Sequence, residues 1–256
     1  MRRSALAVAA VALLLGAVIG ITALASSTTP PSQPRTVNVA SSTPAATGCR
    51  HRSRATSVRH GPSGRKRIAL TFDDGPSGFT SRMLDVLDAE RVTATFFVVG
   101  RNVGGREALL ERMLANGHMI GNHSFTHVNL AKADRAALKE IDDTQAAIES
   151  ATGFTPCLIR PPFGLASRRL LRALSARQLT STLWSVNPQD FRTPGSATIR
   201  RRVLAGAKPG AIILDHDGGG DRRQTLAAIP SIIRTLKARG YAFVTVPELL
   251  GLSVKR

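Results

Sequence analysis

The sequence is poor in aromatics and in cysteine, and its first quarter has no acid at all. One Trp and one Tyr among 256 residues leave little from which to build a stacking platform for nucleic acid, and nothing in the chain resembles a nucleic-acid module. Two cysteines, Cys49 and Cys157, are too few and too far apart for a thiolate metal site. In an exported chain they could pair and staple the segment around Cys49 to the rest; two unrelated thiols are the plain alternative. Residues 1–66 hold nine Lys and Arg and no Asp or Glu, and so supply half of the formal net charge of +18. Residues 67–256 carry 26 basic and 17 acidic residues. Such an excess either attracts polyanions, anionic cell-wall polymers among them, or is simply solvated surface.

What is present begins with an apolar run. Two Arg precede it, and it continues from Ala5 to Ala25, ending in the small-x-small pattern Ala23-Leu24-Ala25. The run is long for a signal peptide and close to the ~20 residues that span a bilayer. Residues 1–25 are therefore a signal peptide or an N-terminal membrane anchor formed by residues 4–25. The two readings agree that the rest is secreted or extracytoplasmic. Nucleic acid is thereby excluded as a partner, and a membrane is met only through an uncleaved N-terminus. Residues 26–65, rich in Pro, Ser, Thr and Arg and without apolar periodicity, read as a linker. Residues 66–256 form the folded domain.

In that domain short apolar runs alternate with amphipathic stretches. RIALTF, TATFFVVG, HMIGN, PCLIR, LTSTLWSV, GAIILD and YAFVTV read as strands. Residues 81–90, 106–116, 134–152, 167–177, 197–205 and 222–239 read as helices. The alternation predicts an α/β fold, a distorted (β/α) barrel of about seven parallel strands with right-handed crossovers. The polar clusters fall just past strand ends: Asp73-Asp74, His123 and His127, Arg160, Asp190, and His216. In such barrels the C-terminal strand ends share one face, and that face holds the site.

Each cluster has a chemical reading. In HSFTH, His123 and His127 stand at i, i+4, which on a helical turn points both rings at one ion. With one Asp they make a two-His, one-carboxylate set that leaves positions open for water and substrate. The second Asp then stays free to take a proton; spacing alone leaves open which Asp does which. Arg160 opens the stiff turn RPPF, and Asp190 in NPQDF matches it by sign. His216 ends an apolar strand in IILDHD. His51, His60 and His118 are assigned to linker or structural roles.

Taken together and in this order, TFDDGPS, HSFTH, RPPF and LDH resemble the motifs of the polysaccharide deacetylase family, also called the NodB homology domain or carbohydrate esterase family 4. The resemblance covers residues 66–250. It implies a divalent metal, zinc with cobalt as a substitute, held by Asp74, His123 and His127. It implies Asp73 as the base activating water, His216 as general acid, and Arg160 and Asp190 as groups that orient and tune them. The backbone N–H of Phe163 would face the oxyanion, and Phe163, Leu214 and Trp184 would contact substrate. One motif departs: the family pattern Asp-x-x-Asp-Trp reads Asn187-Pro188-Gln189-Asp190-Phe191 here, which implies a smaller aromatic wall. The expectation is an exported, metal-dependent N-deacetylase of peptidoglycan or chitin-like oligosaccharides. An O-acetyl xylan esterase with the same site, and a non-catalytic carbohydrate-binding barrel, are the alternatives.

Overall fold

The computed structural model describes residues 47–50 and 55–255, which lie within one unit, Ser42–Arg256. The apolar N-terminal run and most of the segment read as linker lie outside the described residues. The strands are β1 (Thr47–Arg50), β2 (Ser57–Val58), β3 (Arg67–Asp73), β4 (Thr95–Val98), β5 (Met119–Asn122), β6 (Phe154–Thr155), β7 (Leu158–Ile159), β8 (Thr180–Thr182), β9 (Ile212–His216), β10 (Ala242–Phe243) and β11 (Ser253–Lys255). The helices are α1 (Thr80–Ala89), α2 (Glu107–Ala115), α3 (Arg135–Thr152), α4 (Arg168–Ala176), α5 (Ser196–Gly206), α6 (Arg223–Ala238) and α7 (Val246–Leu250).

Side chains sort to the two faces of the sheet with the period of two that a strand imposes. On β3, Ile68, Leu70 and Phe72 point outward into a cluster shared with Met83, Leu87, Leu110, Ile148 and Ile229 of the surrounding helices. Ala69 points inward with Phe97, Leu158 and Ile212. A strand buried on both faces reads as a near-continuous apolar run, as parallel strands do. The capped helices begin where the sequence supplies an acceptor: Asp134 takes Ala137 N–H at 2.9 Å and Ser167 takes Leu170 N–H at 3.1 Å.

The main sheet has eight strands in the order β10-β3-β4-β5-β7-β8-β2, with β9 also on β3. All its pairings are parallel. The sheet curls, and Ser185 and Val186 close it by donating to Ile212 O while Leu214 N–H donates to Val186 O. So short a closing ladder accounts for the distortion. The six helices expected from periodicity fall within a residue of their spans. The seven expected strands are present. The eighth, β2, comes from residues read as linker, as does β1, which pairs β6 and β11 in a separate three-stranded sheet. The linker reading of 26–65 is thereby corrected at its C-terminal end. Strands of two and four residues without apolar alternation carry no periodic signal, and their pairing partners lie far along the chain. Cys157 is buried and disulfide-bonded; Cys49 is the other cysteine of the sequence. No helix of the described residues is long and apolar enough to cross a membrane.

Candidate metal centre and active-site cleft

Strand β3 delivers Asp73 at its end, and the register sets Asp73 against Phe97 on one neighbour and His216 on the other. The chain then turns sharply. Asp74 takes a left-handed φ of 72°, a region that Asp tolerates better than most residues. The next residue must be glycine, because a Cβ on Gly75 would overlap the Asp217 carboxylate. Asp217 clamps this turn: its N–H donates to Asp73 O at 3.1 Å, Thr80 Oγ1 donates to its carboxylate and Ser77 Oγ to its carbonyl. Burial pushes the Asp217 carboxyl up to about 7, against the Thr80 hydrogen bond and with the charges of Asp74 and Asp73 adding to the rise.

The turn aims Asp74 at two histidines. Asp74 Oδ1 lies 3.4 Å from His123 Nε2 and 3.3 Å from His127 Nε2. The sequence reading placed HSFTH on a helical turn, and the structure corrects this. His123 leaves β5 directly into a loop in which Ser124 and His127 both have a φ of 62°. The loop is fastened from outside. Thr126 N–H and Oγ1 donate to the Glu140 carboxylate of α3 at 2.7 and 2.8 Å, and Asn122 Oδ1 accepts from Ser124 N–H at 2.9 Å. The spacing works because the loop folds back, and helical geometry plays no part.

These residues fit a metal ion on their own chemistry. His123 Nδ1–H donates to Arg160 O at 2.6 Å, which fixes the tautomer and leaves the Nε2 lone pair facing Asp74. Asp74 Oδ1 is buried and accepts no hydrogen bond. Burial opposes ionisation of Asp74, but the close approach and charge of His123, with the charges of His216 and His127, hold its carboxyl well below the usual range. Burial first, and then the charge of His123, lower the pKa of His127, which favours the neutral imidazole that ligates. One atom from each of Asp74, His123 and His127 lies within 4.8 Å of the others. A carboxylate and two imidazoles suit a borderline divalent cation such as zinc and leave coordination positions open.

Arg160 sits just past β7, fully buried. Its guanidinium donates to Asp73 Oδ1 at 2.7 Å and Thr71 Oγ1 at 2.8 Å. Two further bonds run to Thr182 O and Leu183 O, each at 3.1 Å. It lies 4.1 Å over the Phe97 ring. That ring is seated against Gly121, where a Cβ would approach it to 2.6 Å. Arg160 therefore pairs with Asp73, and the expected match with Asp190 is corrected. Asp190 serves His216 instead: its carboxylate accepts from His216 Nδ1 at 2.7 Å, His216 N–H at 2.9 Å and Thr225 Oγ1 at 2.9 Å. Burial works against a charged His216, but the Asp190 hydrogen bond and charge, helped by Asp73 and Asp74, raise its pKa overall.

A cleft of about 520 Å³ opens above these groups, lined by Asp73, Asp74, His123, His127 and His216 and by Phe163, Trp184, Phe191 and Leu214. Phe163 is exposed and left-handed at φ 61°, with its ring edge-on to His127 at 4.9 Å. Phe191 stands edge-on to His216 at 5.7 Å. Trp184 packs beneath the 163–164 turn, where a Cβ on Gly164 would meet its ring at 2.9 Å. The structure thus brings together Asp73, Asp74, His123, His127, Arg160, Asp190, His216, Phe163, Leu214 and Trp184. Sequence reasoning missed Asp217, Thr80 and Arg222. Arg222 also lines the cleft and donates to Gly218 O at 2.6 Å and Gly219 O at 3.0 Å. In DRRQ it looks like any surface Arg at a helix start.

Comparison with known proteins places this site in context. A family model described as polysaccharide deacetylase matches residues 60–182. A peptidoglycan-N-acetylglucosamine deacetylase of Listeria monocytogenes is 39% identical over 188 residues, covering 73% of this chain and only 39% of that protein. A chitooligosaccharide deacetylase of Bradyrhizobium is 38% identical over 201 residues, covering 73% of this chain and 92% of the relative. Among solved structures, the Bc1960 peptidoglycan N-acetylglucosamine deacetylase superposes with a TM-score of 0.74 at 35% identity, covering 77% of this chain and 94% of the other. A CE4 family pseudoenzyme from Bacillus anthracis has the same fold, with a TM-score of 0.71 at 26% identity, covering 77% and 69%.

Proposed function

The chain belongs to the polysaccharide deacetylase family, and from that premise we propose that it is an exported, metal-dependent hydrolase that removes N-acetyl groups from amino-sugar polymers, peptidoglycan or chitin-like oligosaccharides. Family membership alone does not make an enzyme, since the fold also carries a pseudoenzyme. The observation that carries the reading is a base and an acid in register on adjacent strands, Asp73 and His216, flanking the Asp74–His123–His127 cluster in one cleft.

Asp74, His123 and His127 would hold a divalent cation, zinc in this reading, which would supply Lewis acidity to the site. The remaining work belongs to side chains. Asp73, oriented by Arg160, takes the proton of the attacking water. The Phe163 N–H donates to the oxyanion. As the carbon–nitrogen bond breaks, His216 Nε2 passes its proton to the leaving sugar amine, with Nδ1 held by Asp190. Leu214 faces the acetyl methyl, and the aromatics Phe163, Trp184 and Phe191 wall the sugar.

Export is supported by the N-terminal apolar run and by the disulfide at Cys157, since disulfides persist in oxidising compartments. A chain of net charge +18 suits an anionic wall.

The test is acetate release by the purified chain lacking residues 1–25 from N-acetylglucosamine oligomers, peptidoglycan and acetylxylan. Release from the first two, abolished by a chelator and restored by zinc, is the expected result. Release from acetylxylan alone would move the reading to an O-acetyl esterase; glycan binding without release would move it to a binding barrel.

A pH profile tests the acid. His216 must be protonated to act, and its raised pKa keeps it so above the ordinary histidine range. The alkaline limb of kcat/KM therefore reports this group. Asp190→Asn keeps the shape and removes the charge, so the limb is expected to move to lower pH by about one unit or more. An unmoved limb would remove His216 from the acid role.

A further inference from the structure

We propose that a second cleft beside the metal centre is a subsite for a carboxylate carried by the glycan. The inference rests on the deacetylase reading and narrows its substrate class. The cleft has a volume of about 450 Å³. One wall is shared with the site already described: Asp74, His127 and Gly219. The other wall carries Arg101, Asn102 and Arg106.

Three observations point to an anion. First, Arg101 and Arg106 have no carboxylate within 4.0 Å among the described residues, whereas Arg112, Arg160, Arg177, Arg223 and Arg234 each have one. Glu107, next in sequence, turns its carboxylate to Gly105 N–H at 3.0 Å. Secondly, among the described residues the only acid lining the cleft is Asp74, which lies against the two histidines. Two arginines thus line a cleft beside a site suited to another cation, with no carboxylate partner of their own; an anion in that cleft would offset the excess positive charge. Thirdly, the backbone under them is fixed. Arg101 N–H donates to Phe125 O of the histidine loop at 2.9 Å. Asn102 Nδ2 donates to Asp74 O at 3.0 Å, and Arg106 donates to Asn102 O at 3.3 Å. The two arginines therefore stand on a segment tied to the candidate metal ligands, and a planar carboxylate matches a guanidinium fork.

Peptidoglycan carries carboxylates on its stem peptides, or on the lactyl ether where no peptide is attached; N-acetylglucosamine oligomers carry none. The subsite would therefore separate these two substrates of the same reaction. The test compares kcat/KM on a phosphate-free peptidoglycan fragment, on the same fragment with its carboxyls amidated, and on a neutral N-acetylglucosamine oligomer of equal length. For the full chain, the acid fragment is expected to exceed the amidated one by about tenfold. Arg101→Gln/Arg106→Gln is expected to remove that preference while leaving the neutral oligomer within about twofold, which also shows that the variant is folded. Raised salt should narrow the preference in the parent chain and not in the variant. Equal rates on acid and amidated fragments, or a preference that survives the double substitution, would overturn the subsite. Calorimetric binding separates the two readings: binding of the acid fragment that is lost on amidation, without turnover, would retain the subsite and reject the deacetylase.

Discussion

Asp73→Asn is expected to lower the turnover of acetate release about a thousandfold while the protein still binds one zinc per chain. The two halves of this result test different things. The substitution is isosteric, and the amide oxygen still accepts from Arg160 where Asp73 Oδ1 now does at 2.7 Å. What the amide cannot do is take a proton from water. The metal half tests the division of labour between adjacent carboxylates. Asp74 Oδ1 reaches both histidines, at 3.4 and 3.3 Å, and has no hydrogen-bond donor. Asp73 reaches only His123, at 3.7 Å, and its other oxygen is taken by Arg160. In the proposed mechanism this geometry assigns the ligand role to Asp74 and the base role to Asp73. Acetate release and elemental zinc on the same preparation decide it. A variant that loses zinc would reverse the assignment, and one that keeps a tenth of its turnover would remove Asp73 from the proton transfer.

The residues that line the cleft were largely legible in the sequence, for a reason that can be named. In a parallel (β/α) fold, position along each strand translates into height in the barrel, so polar residues ending apolar runs converge without any knowledge of contacts. Asp73, His123, Arg160 and His216 were found this way. Contacts that depend on lateral pairing were not legible. The register that sets Asp73 against His216 is a property of the β3–β9 pairing, made by residues more than a hundred positions apart. Sign alone joined Arg160 to Asp190, and the register joins it to Asp73 instead. The histidine pair was read correctly as a pair but on the wrong local structure, because i, i+4 spacing is shared by a helical turn and by a loop with two left-handed residues. Asp217 escaped notice because a carboxylate after a histidine in a glycine-rich stretch looks like turn chemistry; only its burial and its clamp on the Asp73–Asp74 turn show otherwise. Strands β1 and β2 escaped for the same reason of length: two to four residues among Ser, Thr and Arg give no period to count.

Arg160→Met is expected to destabilise the fold by about 3–5 kcal/mol, a drop in Tm of about 10 °C for a domain of this size. The guanidinium is fully buried, and burial depresses its pKa against the support of Asp73. Its four bonds satisfy Thr182 O, Leu183 O, Thr71 Oγ1 and Asp73 Oδ1. Methionine fills a similar volume over Phe97 but leaves the Asp73 charge without its partner in a buried setting, and an unpaired buried charge costs more than the pair is worth. The second substitution Asp73→Asn on the Met background removes that charge, so the double variant should recover part of the loss; this non-additivity is the signature of the pair. Arg160→Lys should not rescue, since a single ammonium cannot span carbonyl, hydroxyl and carboxylate acceptors in one plane. Zinc binding separates positioning from ligation. His123 is oriented by the backbone carbonyl of residue 160, which every substitution keeps, so the folded fraction should retain its metal while turnover falls with the misplaced base. Denaturant midpoints for the four chains of the cycle, with zinc content and turnover on each, carry the test. Fully additive losses would show that Arg160 supports the barrel without holding Asp73.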